Sequence, residues 1–319
     1  MPLKKVIIDA DPGFDDVLAL ILALGSDALD VRLITTVAGN VGLDHCTANA
    51  LRVIEAIGAS RPPTVHAGCA SPLGAPVTRA AHVHGADGFC GISERYPVRT
   101  LSASPTGAID AMLDTIRDNP GEMTLIAIGP LTNVATAIEV DAATMGQIKE
   151  LIVMGGSFGT ESNVTAAAEF NFFADAMAAR VVIQSGLPIT IVGLNVTQQA
   201  LLPRTRFEHL VAQLPPDTAV RSLLGDLTRE FFEISKKRRG IDGCYLHDPL
   251  AVAVAIDPTL ISVQRYPCDV ETKGELTQGM LVVDTRPTAA LDSSNVKVAT
   301  AVNVERFIEL FEQTLIAAC

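Results

Sequence analysis

Short β-branched runs alternate with helical patterns through the first two-thirds of the chain. "KKVIID", "VRLITTVAG", "PTVHAG", "MTLIAIG", "ELIVMGG" and "PITIVGLNV" predict strands. Most are apolar throughout, as strands covered on both faces by helices must be. Between them, "FDDVLALILALG", "LDHCTANALRVIEAIG", "TGAIDAMLDTIRDN", "LTNVATAIEV" and "ADAMAARVVIQSG" predict helices, several closing on Gly or Asn. This alternation predicts an α/β fold with a doubly wound, mostly parallel sheet.

Beyond about residue 200 the pattern changes. "TAVRSLLGDLTREFFEISKKRRG" predicts a long helix and "HDPLAVAVAI" another. "ISVQRYPCDVE", "MLVVDT" and "NVKVATAVN" predict a small antiparallel addition, and "VERFIELFEQTLIAA" a closing helix. No long polar linker interrupts residues 1–319, so one domain is expected, and 48% hydrophobic residues suffice for its core. Residues 68–100 form the longest irregular stretch, and loops of that length are usually functional or mobile.

A formal net charge of −12 argues against nucleic-acid binding, which needs a basic face. Six cysteines show no CxxC pair or regular spacing, the usage of a reduced, cytoplasmic protein. "MPLKKVIID" is not a signal sequence, and no stretch of about 20 uncharged apolar residues is available to span a membrane.

The first predicted strand runs into four aspartates within "DADPGFDD": Asp9, Asp11, Asp15 and Asp16. Like charges this close repel unless something neutralises them. Helix N-capping accounts for two, Asp15 and Asp16, in a first turn where the macrodipole favours negative charge by about 0.3–1 kcal/mol. Four point to a cation. Ligands of open parallel sheets sit beyond the carboxyl ends of the strands. Nearly every predicted strand here ends in oxygen-bearing side chains: Thr35, Thr36 and Asn40; Thr132 and Asn133; Glu161, Asn163, Glu169 and Asn171; Asn195. Carboxylates and carbonyls without thiolates select calcium or magnesium, and the lack of Lys or Arg among them argues against a phosphate ligand. An EF-hand fails on register, because counting from Asp9 puts Phe14 at the required glycine and Leu20 at the required glutamate. In "YLHDPLAVA", Asp248 opens a helix with Pro249 in its first turn, which makes Asp248 a further candidate ligand and sets His247 beside it as an acid or base.

"DADPGFDD" at 9–16 closely resembles the Asp-x-Asp-Pro-Gly-x-Asp-Asp signature of the inosine-uridine-preferring nucleoside hydrolases. The resemblance continues, in order, through "TTVAGN" at 35–40, "HVHGADG" at 82–88, "IGPLTNVA" at 128–135, "VMGGSF" at 153–158, "NVTAAAEFNFFAD" at 163–175 and "HDPLAVA" at 247–253. It implies a Rossmann-like nucleoside hydrolase core. It also implies hydrolysis of the N-glycosidic bond of ribonucleosides through a metal-bound water and an oxocarbenium-like transition state. One calcium ion (Ca2+) would be held by Asp11, Asp16, Asp248 and the backbone carbonyl of Ile128. Asp11 would also be the general base. Asp15, Asn40, Asn163, Glu169 and Asn171 would bind the ribose hydroxyls, Met154 and Phe170 would pack around the sugar, and His82 would lie near the site. His247 would sit near the leaving base, and the family implies a homodimer or homotetramer.

The likeness thins around the base. Where some relatives carry a tyrosine about twelve residues before the histidine, this chain has Ser235, leaving Arg239 and Tyr245 to contact the base. Two alternatives remain at this level: a haloacid-dehalogenase-type phosphatase, and a non-catalytic nucleoside-binding protein. The phosphatase motif typically holds Thr or Val where Gly13 stands, and its downstream lysine and acidic motif are not found.

Overall fold

A computed structural model describes residues 3–59, 61–74, 76–289 and 294–318, apart from the side chain of Arg239. Its strands are β1 (Lys4–Ala10), β2 (Leu29–Thr36), β3 (Thr64–Ala67), β4 (Thr124–Ala127), β5 (Glu150–Met154), β6 (Ile189–Val192), β7 (Leu201–Pro203), β8 (Gly243–Tyr245), β9 (Ile261–Arg265), β10 (Cys268–Val270), β11 (Leu281–Val283) and β12 (Val296–Val302). The helices are α1 (Phe14–Gly25), α2 (Leu43–Ile57), α3 (Ala81–His84), α4 (Ala108–Asp118), α5 (Thr132–Val140), α6 (Ala142–Met145), α7 (Phe170–Ala174), α8 (Ala176–Gln184), α9 (Leu194–Thr197), α10 (Arg204–Gln213), α11 (Ala219–Arg239), α12 (His247–Ile256) and α13 (Val304–Ala317).

Eight strands form the main sheet in the order β3-β2-β1-β4-β5-β6-β12-β9. Every neighbouring pair is parallel except β12 with β9. The doubly wound, mostly parallel sheet read from the alternation is therefore present. Side chains divide between its faces with period two. Val6 and Ile8 pack into one helical layer and Ile7 into the other; Ile126 and Ile152 oppose Leu125, Leu151 and Val153 in the same way. An uninterrupted apolar strand is what two covered faces require.

Two sequence-based expectations are corrected. "PITIVGLNV" is not one strand: it ends at Val192, and extended Gly193 opens the short helix α9. The carboxyl-terminal strands are not a single antiparallel addition. β12 extends the main sheet in parallel beside β6 and β9 closes its edge, and only β10 and β11 form a separate antiparallel pair. The long helix, the His-Asp-Pro helix and the closing helix form as expected.

The order reverses at β1, which has β2 on one side and β4 on the other. That switch point opens a crevice at the strands' carboxyl ends. Helices α1 and α12, apolar on nearly every side, pack against each other within one layer. Both begin at that end of the sheet, so their first turns bring Asp15, Asp16 and Asp248 together. No helix among the described residues is long and apolar enough to cross a membrane. Cys46, Cys69, Cys90, Cys244 and Cys268 are free thiols.

Candidate active site

The turn after β1 is organised by its own carboxylates. Asp16 accepts from the backbone amides of Gly13 (3.0 Å) and Asp11 (3.2 Å), which folds "DPGFD" back on itself. From the end of β2, the Asn40 amide donates to Asp11 Oδ2 at 2.6 Å, and its side-chain nitrogen donates to the Asp11 carbonyl (3.1 Å) and Asp16 Oδ2 (3.2 Å). Close approach demands glycine here. A Cβ on Gly39 would lie 2.0 Å from Asp11 Oδ2, and one on Gly129 would lie 2.8 Å from Asp11 Oδ1. His84, from the loop after β3, accepts the Phe14 amide at Nδ1 (3.0 Å) and so anchors the start of α1.

Oxygens of Asp15, Asp16 and Asp248 converge within 4.8 Å of one another. Asp11 stands beside them, and its Oδ1 is buried without a hydrogen-bond partner. Burial, with the charges of Asp16, Asp15 and Asp9 added, pushes Asp11 well above the usual carboxylate range. Asp248 is raised in the same direction by burial and then by Asp15, Asp16, Asp11 and Glu169. Asp16 is pushed up to about 7 by burial and by Asp15. An all-oxygen donor set, mutually repelling carboxylates and an orphaned buried oxygen together fit a divalent cation. The Ile128 carbonyl already accepts from Asn171 Nδ2 at 2.9 Å, and its second lone pair is available to a cation.

Asp9 lies beneath this cluster. Its Oδ1 accepts from Thr35 (2.6 Å) and Asn133 (2.8 Å), its Oδ2 has no partner, and burial lifts its pKa to about 7. Thr35, Thr36, Thr132 and Asn133 are thus framework, bonding one another's neighbourhood below the cleft and not lining it.

The cleft above encloses about 830 Å³ of space counted out to its open mouth. Asp11, Asp15, Asn40, His82, Ile128, Met154, Asn163, Glu169, Phe170, Asn171, Tyr245, His247 and Asp248 all border it. Asp16 sits just below. Arg239 ends α11, but its side chain lies outside the described residues. No Lys or Arg side chain borders the cleft among the described residues, which removes support from the phosphatase alternative. Glu169 caps α7, accepting from the amides of Asn171 (2.8 Å), Phe172 (3.2 Å) and, across the loop, Gly156 (2.9 Å), while burial still raises it to about 7. Asn171 is pinned to the carbonyls of Ile128 and Met154 (3.1 Å). Asn163 and His82 are exposed at the rim.

Of one further wall of the cleft, sequence reasoning named only Ser235. Phe231, Ser235, Ile241 and Cys244 line it, with Phe231 stacked on Phe14 at 3.9 Å between ring centroids. The aromatic pair in "FFEIS" on an amphipathic helix was the available signal. His84, within the "HVHGADG" stretch, borders the cleft as well. That loop is knotted by Asp87, which accepts from the amides of Phe89, Gly91 and Ser93.

The sequence profile of a family described as inosine-uridine preferring nucleoside hydrolase matches residues 6–309. The chain is 36% identical to the inosine-uridine preferring nucleoside hydrolase of Leishmania major over 89% of this chain and 88% of that one. It is also 36% identical to the pyrimidine-specific ribonucleoside hydrolase RihA of Shewanella woodyi, over 98% of each chain. A solved purine-preferring ribonucleoside hydrolase from Gardnerella vaginalis superposes with a TM-score of 0.91 at 30% identity, covering 99% of both chains. With the carboxylate cluster at the switch point of a matching sheet, the chain belongs to the inosine-uridine preferring nucleoside hydrolase family.

Proposed function

We propose that this protein hydrolyses the N-glycosidic bond of ribonucleosides to ribose and free base, with calcium as its ion. The observation that carries this reading is the buried carboxylate cluster, with its orphaned Asp11 oxygen, at the floor of a small-molecule cleft lined by hydrogen-bonding oxygens and amides. Asp11, Asp16, Asp248 and the Ile128 carbonyl would hold the ion, and Asp15 converges closely enough to join them. When bound, calcium supplies fixed positive charge that neutralises these carboxylates and acidifies nearby water and hydroxyls.

The chain's own groups account for the rest. Asp11 Oδ1 takes one proton from the attacking water, and the resulting hydroxide adds at C1′. The electron pair of the C1′–N bond leaves with the base, which takes up a proton held by His247. Positive charge develops on the sugar as that bond breaks, and the anionic cleft favours that state over the ground state. Asp15, Asn40, Asn163, Glu169 and Asn171 orient the ribose. Met154 and Phe170 pack against it, His82 closes the rim, and Tyr245 faces the base.

The primary test incubates the protein with inosine, uridine, cytidine, adenosine and guanosine and measures reducing sugar before and after chelation. Ribose from at least one of them, lost on chelation and restored by calcium, is the expected result. No sugar from any of them defeats the proposal and leaves a binding protein.

His247→Ala is expected to cut inosine turnover by about 10²-fold, with a much smaller loss on uridine, because a departing purine needs a proton more. Equal losses on both would remove His247 as the proton donor.

The raised carboxylates also set a pH signature for the ion. Their folded-state pKa values lie above those of the unfolded chain, with Asp16 and Glu169 near 7 and Asp11 and Asp248 raised well above the usual carboxylate range. Metal-free protein therefore loses stability as pH rises from the unfolded carboxylate range, about 4, through 7. Calcium needs the ionised forms, so its stabilisation grows over the same window. The Tm gained on adding calcium to chelated protein should be small at pH 5 and reach about 5 °C or more at pH 8 at saturating ion. A gain that is flat or falls with pH would place the ion elsewhere.

A further inference from the structure

We propose that Thr197 is a positioning residue for His247, holding its imidazole ring at the angle from which it serves the leaving base. Thr197 Oγ1 lies 2.8 Å from His247 Nδ1, although the two are fifty positions apart. Thr197 is fully buried and does not border the cleft, whereas His247 does. Any effect of Thr197 on the reaction therefore passes through the ring.

The backbone on both sides of the contact is fixed. Asn195 ties α9 to the sheet by donating to the Ala299 carbonyl at 2.7 Å. The Leu246 amide donates to the Ala200 carbonyl at 3.0 Å, and Leu201 pairs with Tyr245 across β7 and β8. These bonds clamp the residues leading into His247 against those leaving α9. The Tyr245 ring lies 5.4 Å from the imidazole, centroid to centroid, and packs at its side. With backbone and neighbour fixed, the ring's remaining freedom is rotation about its side-chain bonds, and the threonine hydroxyl opposes that rotation. A hydroxyl can accept from an Nδ1–H or donate to a bare Nδ1, so it holds the ring before and after proton transfer. A valine methyl in the same place does neither.

This inference rests on the nucleoside hydrolase reading, and its test separates the two. Wild type, Thr197→Val, Thr197→Ser, His247→Ala and the Thr197→Val/His247→Ala double variant are assayed on inosine, whose base needs the proton, and on p-nitrophenyl riboside. The nitrophenolate departs without a proton. Thr197→Val is expected to lower kcat on inosine by about 10–100-fold, as misplacement of a catalytic group does, with KM little changed. It should keep wild-type activity on the nitrophenyl riboside, which also reports that it has folded. Thr197→Ser should restore most of the loss, and Thr197→Val should cost nothing further in the His247→Ala background. Equal losses on both substrates, no loss on either, failure of serine to rescue, or additive losses in the double variant would each overturn the role of Thr197. A wild-type protein that cleaves neither riboside would overturn the nucleoside hydrolase reading itself, and this inference with it.

Discussion

Asp11→Asn is expected to lower kcat on ribonucleosides by about 10³-fold or more, the range set by losing a general base. Asparagine has the shape of aspartate and keeps an oxygen for the Asn40 amide, which sits 2.6 Å from Oδ2. It cannot take a proton from water. The substitution also weakens the ion's site by removing one negative charge. Steady-state kinetics at saturating calcium, with a parallel calcium titration, separate the two effects: loss of the base persists at saturation, whereas loss of affinity does not. Activity within tenfold of wild type at saturating calcium would exclude Asp11 as the base and shift that role to another cleft carboxylate, with Asp15 the first candidate.

Uridine is expected to be cleaved at a kcat/KM about 10³-fold or more above that of 2′-deoxyuridine. The groups proposed to hold the ribose are rigid. Asn171 is pinned by two carbonyls, Glu169 by three amides, and Asn40 by the Asp11 carbonyl and the Asp16 carboxylate. Partners fixed in this way cannot turn to one another when a hydroxyl is missing, and an unpaired buried polar group costs about 1–3 kcal/mol, more when it is charged. Sites built to bind a hydroxyl commonly reject the analogue lacking it by about 10⁴-fold. Comparable turnover of the two nucleosides would mean that the cleft does not read the 2′-hydroxyl, and the sugar-binding assignment would have to be abandoned.

Much of the site's chemistry is written locally. The turn "DADPGFDD" sets its own carboxylates through bonds spanning three and five residues, and Asp248 follows from a helix start. The sheet's six amino-terminal strands are legible because two covered faces demand apolar runs. Legibility fails where a distant partner overrides the local signal. "GLNVT" is rich in strand formers, yet it turns into α9 because Leu194 bonds the Gly156 carbonyl and Asn195 reaches Ala299. β12 joins the main sheet because the exposed edge of β6 offers it a parallel partner, whereas its neighbours in sequence suggest only a hairpin.

By itself, then, the sequence determined the fold class, the acidic turn and the kind of ligand atoms available, all of which follow from residue type and short-range periodicity. The tertiary structure decided which of those atoms meet. Packing of α1 against α12 brings Asp248 to Asp15 and Asp16. Asn171 reaches the Ile128 carbonyl across forty-three positions, and Thr197 comes to His247 across fifty. Such meetings depend on strand order and register, which no local pattern encodes.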